Sequence, residues 1–213
     1  MTVKSLDIGQ NRLFLALDVI ERVVVACLFG FFCVRMFLAF VEKGQLINLI
    51  LIASEGLVVV FVLIRRSAKS VSLRPLDWLL AFTATAAPLL LRSSDVGPLL
   101  PIVVCTLLTV AGFILQVAAK LTLRRNFGVI AANRGITTGG PYHFVRHPMY
   151  SAYLLTGLGF ILSNPSPWNI AVYLTGFGFQ VARLLAEERL LGEDRNYREF
   201  SRLVPYRLVP KIF

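Results

Sequence analysis

Residues 139–155 read GGPYHFVRHPMYSAYLL, from Gly139 to Leu155. The stretch holds both histidines of the chain, His143 and His147, and a proline directly after the second. An apolar run without charge follows Pro148. Proline has no backbone N–H to contribute, and its fixed φ suits the first turn of a helix. The stretch therefore predicts a helix starting at Pro148 and reached through a polar, basic and aromatic turn. Its apolar run to about Leu162 has the character of a membrane segment.

The rest of the chain fits that setting. Of 213 residues, 56% are hydrophobic, and the mean hydropathy is +0.71. The apolar residues come in long blocks, as in a polytopic helical membrane protein, and no polar stretch is long enough to make a second domain. The net charge of +10 does not point to nucleic acid, because the basic residues sit between apolar blocks. Cys27, Cys33 and Cys105 lie inside apolar blocks, form no metal-binding spacing, and read as small buried hydrophobes. Asp7, Asp18 and Glu21 precede the first long block, which argues against a cleaved signal peptide.

Residues 1–20 suggest an interfacial amphipathic helix. Six spans are predicted after it, at about 23–41, 46–64, 78–91, 99–121, 148–162 and 169–186. A tight turn at Glu42–Gln45 joins the first two. The third is short and contains Pro88. Lys and Arg concentrate before span one and after spans two, four and six, while the opposite side carries only Lys43 and Arg92. That asymmetry predicts both termini and the 122–146 loop in the cytoplasm. The expected fold is all-α, a polytopic transmembrane bundle forming one structural unit. Within it, residues 1–121 hold the amphipathic segment and spans one to four. Residues 122–213 hold a polar loop, a helical hairpin and a cytoplasmic tail.

The hairpin carries an echo, LTGLGF at 155–160 and LTGFGF at 174–179. Gly157, Gly159, Gly176 and Gly178 let backbones approach closely. Packing within the hairpin is the simpler reading; room for a cofactor is the other. The spacing is not that of a dinucleotide fingerprint.

Chemistry concentrates at the two ends of this hairpin. His147 sits at the expected start of span five, where free N–H groups and the helix dipole favour an anion. Arg146 adds a cation, and Tyr142 and Tyr150 add ring faces. In ARLLAEERLL, Arg183 and Glu187 stand four apart on one helix face, with Glu188 next. A charge just inside an apolar span usually faces a bundle interior or a wet cavity. The hairpin brings both ends to one side. Arg35 and Glu55 are predicted at similar depth in spans one and two, as a structural ion pair or as a lining for a lipid headgroup.

Three pieces, GPYHFVRHPMY, R-x-x-x-E-E-x-x-L and F-x-x-L-V-P-Y-R-L-V-P, stand in this order around a short hairpin with an Asn-Pro turn. Together they resemble the isoprenylcysteine carboxyl methyltransferase family and its bacterial relatives, over about Phe127–Pro210. Phospholipid N-methyltransferases share part of the pattern. The resemblance implies an integral, multi-pass membrane methyltransferase using S-adenosyl-L-methionine, with its active site facing the cytoplasm. Its partners would be a lipophilic or lipidated acceptor and membrane lipid, with no nucleic acid and no obligate protein partner. It implies cofactor contacts from Arg134, Gly135, Ile136, Thr137, Tyr142, His147, Pro148, Met149, Tyr150 and Glu187. Arg183 and Glu187 take the catalytic positions, and Arg183 also faces the acceptor. The family's loop often carries a cofactor-contacting Gln. This chain has VIAAN there, so Asn133 or backbone would substitute. The tail is expected to fold back over the cofactor and to meet anionic lipids. A nicotinamide-dependent membrane reductase and a non-catalytic membrane binding protein are the alternatives.

Overall fold

The computed structural model describes residues 8–43, 47–66, 68, 70–92, 94 and 96–213. It is mostly helical. The helices are α1 (Ile8–Lys43), α2 (Ile47–Ile64), α3 (Pro75–Ala86), α4 (Ile102–Leu123), α5 (Pro148–Ser163), α6 (Pro167–Leu191) and α7 (Arg195–Leu203), with 3₁₀ turns at Ala87–Leu90, Arg124–Asn126 and Gly140–His143. Two short strands, β1 (Ser70–Val71) and β2 (Ala132–Asn133), pair antiparallel, with Ser70 opposite Asn133. Among the described residues, two helical stretches are long and apolar enough to cross a membrane, Leu15–Glu42 and Ile102–Asn126. Little of either stretch is buried. Leu28, Phe31, Val34, Phe37 and Leu38 of α1 lie exposed, as lipid-facing side chains would.

Several sequence expectations are adjusted. From Ile8 the first helix runs unbroken to Lys43, 36 residues, because no proline interrupts it. The expected interfacial helix and first span are therefore one element from Ile8 onward. Residues 1–7 of that expectation, and residues 44–45 of the expected turn, lie outside the described residues. Span three breaks near Pro88: α3 ends at Ala86 and a 3₁₀ turn, Ala87–Leu90, follows. Its 12 residues rise only about 18 Å, against a hydrocarbon core of about 30 Å. Cys105 is buried as expected, but Cys27 is exposed and Cys33 half-buried, on parts of α1 that α2 does not fully cover.

The chain forms two compact units, Met1–Val71 with Arg124–Gly135, and Ser72–Leu123 with Ile136–Phe213. Residues Ser72–Leu123, which hold the expected spans three and four, group with Ile136–Phe213, and Arg124–Gly135 groups with Met1–Val71.

In the first unit α1 and α2 form an antiparallel pair. Arg22 Nη1 donates to Leu63 O (2.9 Å), and Cys33 lies near Ile52 O (4.0 Å). At one end lies a buried ionic cluster. Arg65 bonds Asp18 Oδ1 (2.8 Å) and Glu21 Oε1 (2.9 Å). Arg134 bonds Glu21 Oε2 (3.0 Å), and Arg22 bonds Asp18 Oδ2 (2.8 Å). Glu21 Oε1 also accepts from the backbone N–H groups of Val129 (2.8 Å) and Ile130 (3.0 Å). Gly128 makes room for this arrangement, since a Cβ there would stand 2.2 Å from Arg134 Nη1. Burying charge is costly unless opposite charges are paired, and here the guanidinium groups of Arg65 and Arg134 are paired with the carboxylates of Asp18 and Glu21.

In the second unit α4 packs most extensively on α5, and α6 packs on α3. The hairpin glycines are largely explained by contact. A Cβ on Gly157 would meet the Tyr173 ring at 2.1 Å; on Gly159, Thr109 Oγ1 at 2.3 Å and Cys105 O at 2.7 Å; on Gly176, Ala87 Cβ at 2.8 Å. Gly178 faces open space. At the turn between α5 and α6, buried Asn169 donates to Arg92 O (2.8 Å) and Asn164 O (2.9 Å), and accepts from Arg92 N (3.0 Å).

Two outcomes follow from this packing. Gly159→Ala should lower stability by about 1–3 kcal/mol, because backbone atoms of α4 cannot yield, whereas Gly178→Ala should be near neutral; thermal unfolding in detergent compares them. Glu21→Ala should cost about 3–5 kcal/mol by leaving buried guanidinium groups uncompensated, read in the same assay.

Candidate active site

The start of α5 is built as the sequence suggests. His147 is the N-cap residue and Pro148 the first helical residue. Tyr150 N and Ser151 N donate back to His147 O (3.0 and 3.2 Å). The donors expected to hold an external anion are occupied, however. Arg146 N donates to Tyr206 O (2.9 Å) and His147 N to Arg207 O (2.9 Å), while Ser151 Oγ donates to Leu208 O (2.6 Å). Prolines at 205 and 210 disfavour helix in the tail, so its extended carbonyls are free to accept these bonds.

The anion at this helix start is the chain's own Glu188. His147 Nε2 lies 2.7 Å from Glu188 Oε1, which also accepts from Tyr197 Oη (2.5 Å). Arg146 Nη1 bonds Oε2 at 2.7 Å and Arg207 Nε approaches it at 3.4 Å. Burial pushes this carboxyl up, but the bonds from His147 and Tyr197 and the charge of Arg146 outweigh it and hold the pKa at about 2. The Tyr197 phenol is driven far above its usual range by burial and by its bond to Glu188.

Glu187, one position earlier, turns to a different set of groups. Its Oε1 accepts from Tyr150 Oη (2.7 Å) and lies 3.6 Å from Arg183 Nε. Its Oε2 faces His147 Nδ1 at 3.8 Å, too long for a hydrogen bond. That oxygen retains capacity for a donor. The Arg183 guanidinium lies over the Tyr150 ring, 5.5 Å from its centroid. Tyr150 and Tyr153 meet edge to face at 6.2 Å. Tyr142 is buried, and its phenol is pushed well up by that burial, then by the charge of Glu187 and by Tyr153. The turn that delivers it, Gly140–His143, begins at a glycine with φ +55, packed so that a Cβ would stand 2.7 Å from Thr122 Oγ1.

The second unit thus gathers Tyr142, His147, Tyr150, Arg183 and Glu187. Pro148 and Met149 are buried in the first turn of α5, and Ile136 and Thr137 are half-buried in the same unit. Arg134, Gly135, Arg35 and Glu55 belong to the other unit. Arg134 is held there by Glu21 and Asp18. Gly135 takes φ +116, with its N–H donating to Asn133 Oδ1 (3.1 Å). Arg35 is exposed and Glu55 half-buried. The sequence reading left Glu188 without a role and missed Tyr197 and Arg207 as its partners. The doubled Glu-Glu was the available signal; nothing local announces a tail contact.

Residues 100–198 match the family model described as phospholipid methyltransferase. No curated protein matches the chain. A solved structure of a eukaryotic intramembrane Ras methyltransferase, isoprenylcysteine carboxyl methyltransferase, aligns over 96% of this chain and 94% of that one, at 17% identity and a TM-score of 0.45. The similarity to phospholipid methyltransferases read from the sequence is borne out over residues 100–198.

The pKa of Glu188 carries a pH signature. It lies below the 4.5 of an ordinary glutamate, so folding favours the ionised form. The contribution to stability is complete above about pH 4.5 and is lost as the pH falls toward about 2. Glu188→Gln should be less stable than wild type at neutral pH, and the gap should narrow through that window in acid unfolding measurements.

Proposed function

We propose that this protein is an integral, multi-pass membrane methyltransferase that moves a methyl group from S-adenosylmethionine to a lipophilic acceptor at the cytoplasmic face. The observation that carries the reading is the meeting of His147 with Glu187 and Glu188, where the start of α5 reaches the end of α6. All three residues lie inside the matched region.

The donor set suits the positive end of the cofactor. Glu187 Oε2 has capacity for an ammonium N–H, and the rings of Tyr142, Tyr150 and Tyr153 are aromatic neighbours suited to a sulfonium. The occupied donors of Arg146 and His147 argue against a carboxylate at the helix start. When bound, S-adenosylmethionine supplies a methyl group on a sulfonium whose departure leaves a neutral thioether. The chain's own contribution is alignment and the exclusion of water by buried tyrosines. Arg183, set against Tyr150, is suited to hold a carboxylate acceptor with paired N–H donors. An amine acceptor would first lose a proton, and Glu187 with His147 Nδ1 beside it is the nearest group to take it.

S-adenosylhomocysteine should raise the unfolding temperature of the purified protein. Glu187→Gln should weaken that binding by about tenfold or more, since a charged hydrogen bond is lost. An unshifted melting curve in wild type at millimolar ligand would remove the reading.

A further inference from the structure

Gln180 lies in the apolar part of α6 and is only 9% exposed. Its Nε2 donates to Ala84 O on α3 at 3.3 Å. Its Oε1 is buried and has no hydrogen-bond partner. Turning the amide over would set two oxygens against each other, so the carbonyl oxygen is the group left over. Keeping an unmet acceptor in an apolar segment is costly, and a Met or Leu of similar size would avoid the cost.

The position of Gln180 is informative. Gln180, Arg183 and Glu187 follow one another at steps of three and four, so they share a helix face. Gln180 lies about 4–5 Å further along the axis than Arg183, and about 10 Å from the level of Glu187. It extends the polar file of the candidate site toward the middle of the apolar segment, where a lipophilic acceptor would lie.

We infer that Gln180 Oε1 receives an N–H of the methyl acceptor and thereby selects acceptors that carry a donor near the methylated group. The inference rests on the methyl-transfer reading above. Two kinds of lipophilic molecule offer that chemistry: a lipidated cysteine, through its amide N–H, and an amino phospholipid, through its ammonium.

The test uses the full chain in detergent, methyl-labelled S-adenosylmethionine, and two probes, N-acetyl-S-farnesylcysteine and phosphatidylethanolamine vesicles. The probe that becomes labelled identifies the source. Gln180→Met should raise KM for that probe at least about tenfold, while S-adenosylhomocysteine affinity stays within about twofold. If the farnesyl probe is the substrate, wild type should also disfavour its N-methylated amide by a similar factor, a comparison that needs no variant to fold. An unchanged KM in Gln180→Met, or labelling of neither probe by protein that binds S-adenosylhomocysteine, overturns the inference alone. Wild-type protein that binds no S-adenosylhomocysteine overturns the methyl-transfer reading and the inference with it.

Discussion

A carboxylate withdrawn from water must be surrounded by donors, and Glu188 meets that demand by drawing three parts of the chain together. The start of α5 supplies Arg146 and His147, α7 supplies Tyr197, and the tail supplies Arg207. Remove the charge and each of these side chains loses a partner, while the backbone bonds from Arg146 and His147 to the tail remain. The same contacts fix the imidazole of His147 so that its other nitrogen faces Glu187. Adjacent glutamates on one helix point roughly 100° apart. That angle lets one serve the architecture while the other remains available to a ligand.

The helices deliver these side chains because their backbones come close. Gly159 and Gly112 seat α5 against α4, and Gly157 seats Tyr173 against α5. Small residues matter more here than in a water-soluble bundle, because lipid is as apolar as the side chains and gives little reward for burying them. With α5 seated this closely, the position of its first turn, and hence of His147, is set by contacts well below the site.

Much of this was legible in the sequence. Pro148 announced the helix start, the four-residue step from Arg183 to Glu187 announced a shared face, and the doubled LTG-x-GF announced close packing. Helix boundaries at 148, 163 and 167 fell close to expectation. What stayed hidden depended on partners distant in the chain. The helix start at Pro148 was read as an open anion site, because no local pattern shows that carbonyls of residues 206–208 come back to it. Arg134 bonds Glu21, 113 residues away, and that pairing leaves no periodic trace. Pro88 was noted, but where the third helix gives way to a 3₁₀ turn is decided by packing.

The Glu21–Arg134 pairing also bears on biosynthesis. As the nascent chain leaves the ribosome, α1 arrives with Asp18, Glu21 and Arg22, and Arg65 follows directly after α2. Arg134 and the backbone N–H groups of Val129 and Ile130 follow only after α4 has been made. Until then Glu21 lacks part of its final shell, and the machinery that inserts the first helical pair has to shelter or tolerate an acidic group that the completed protein encloses.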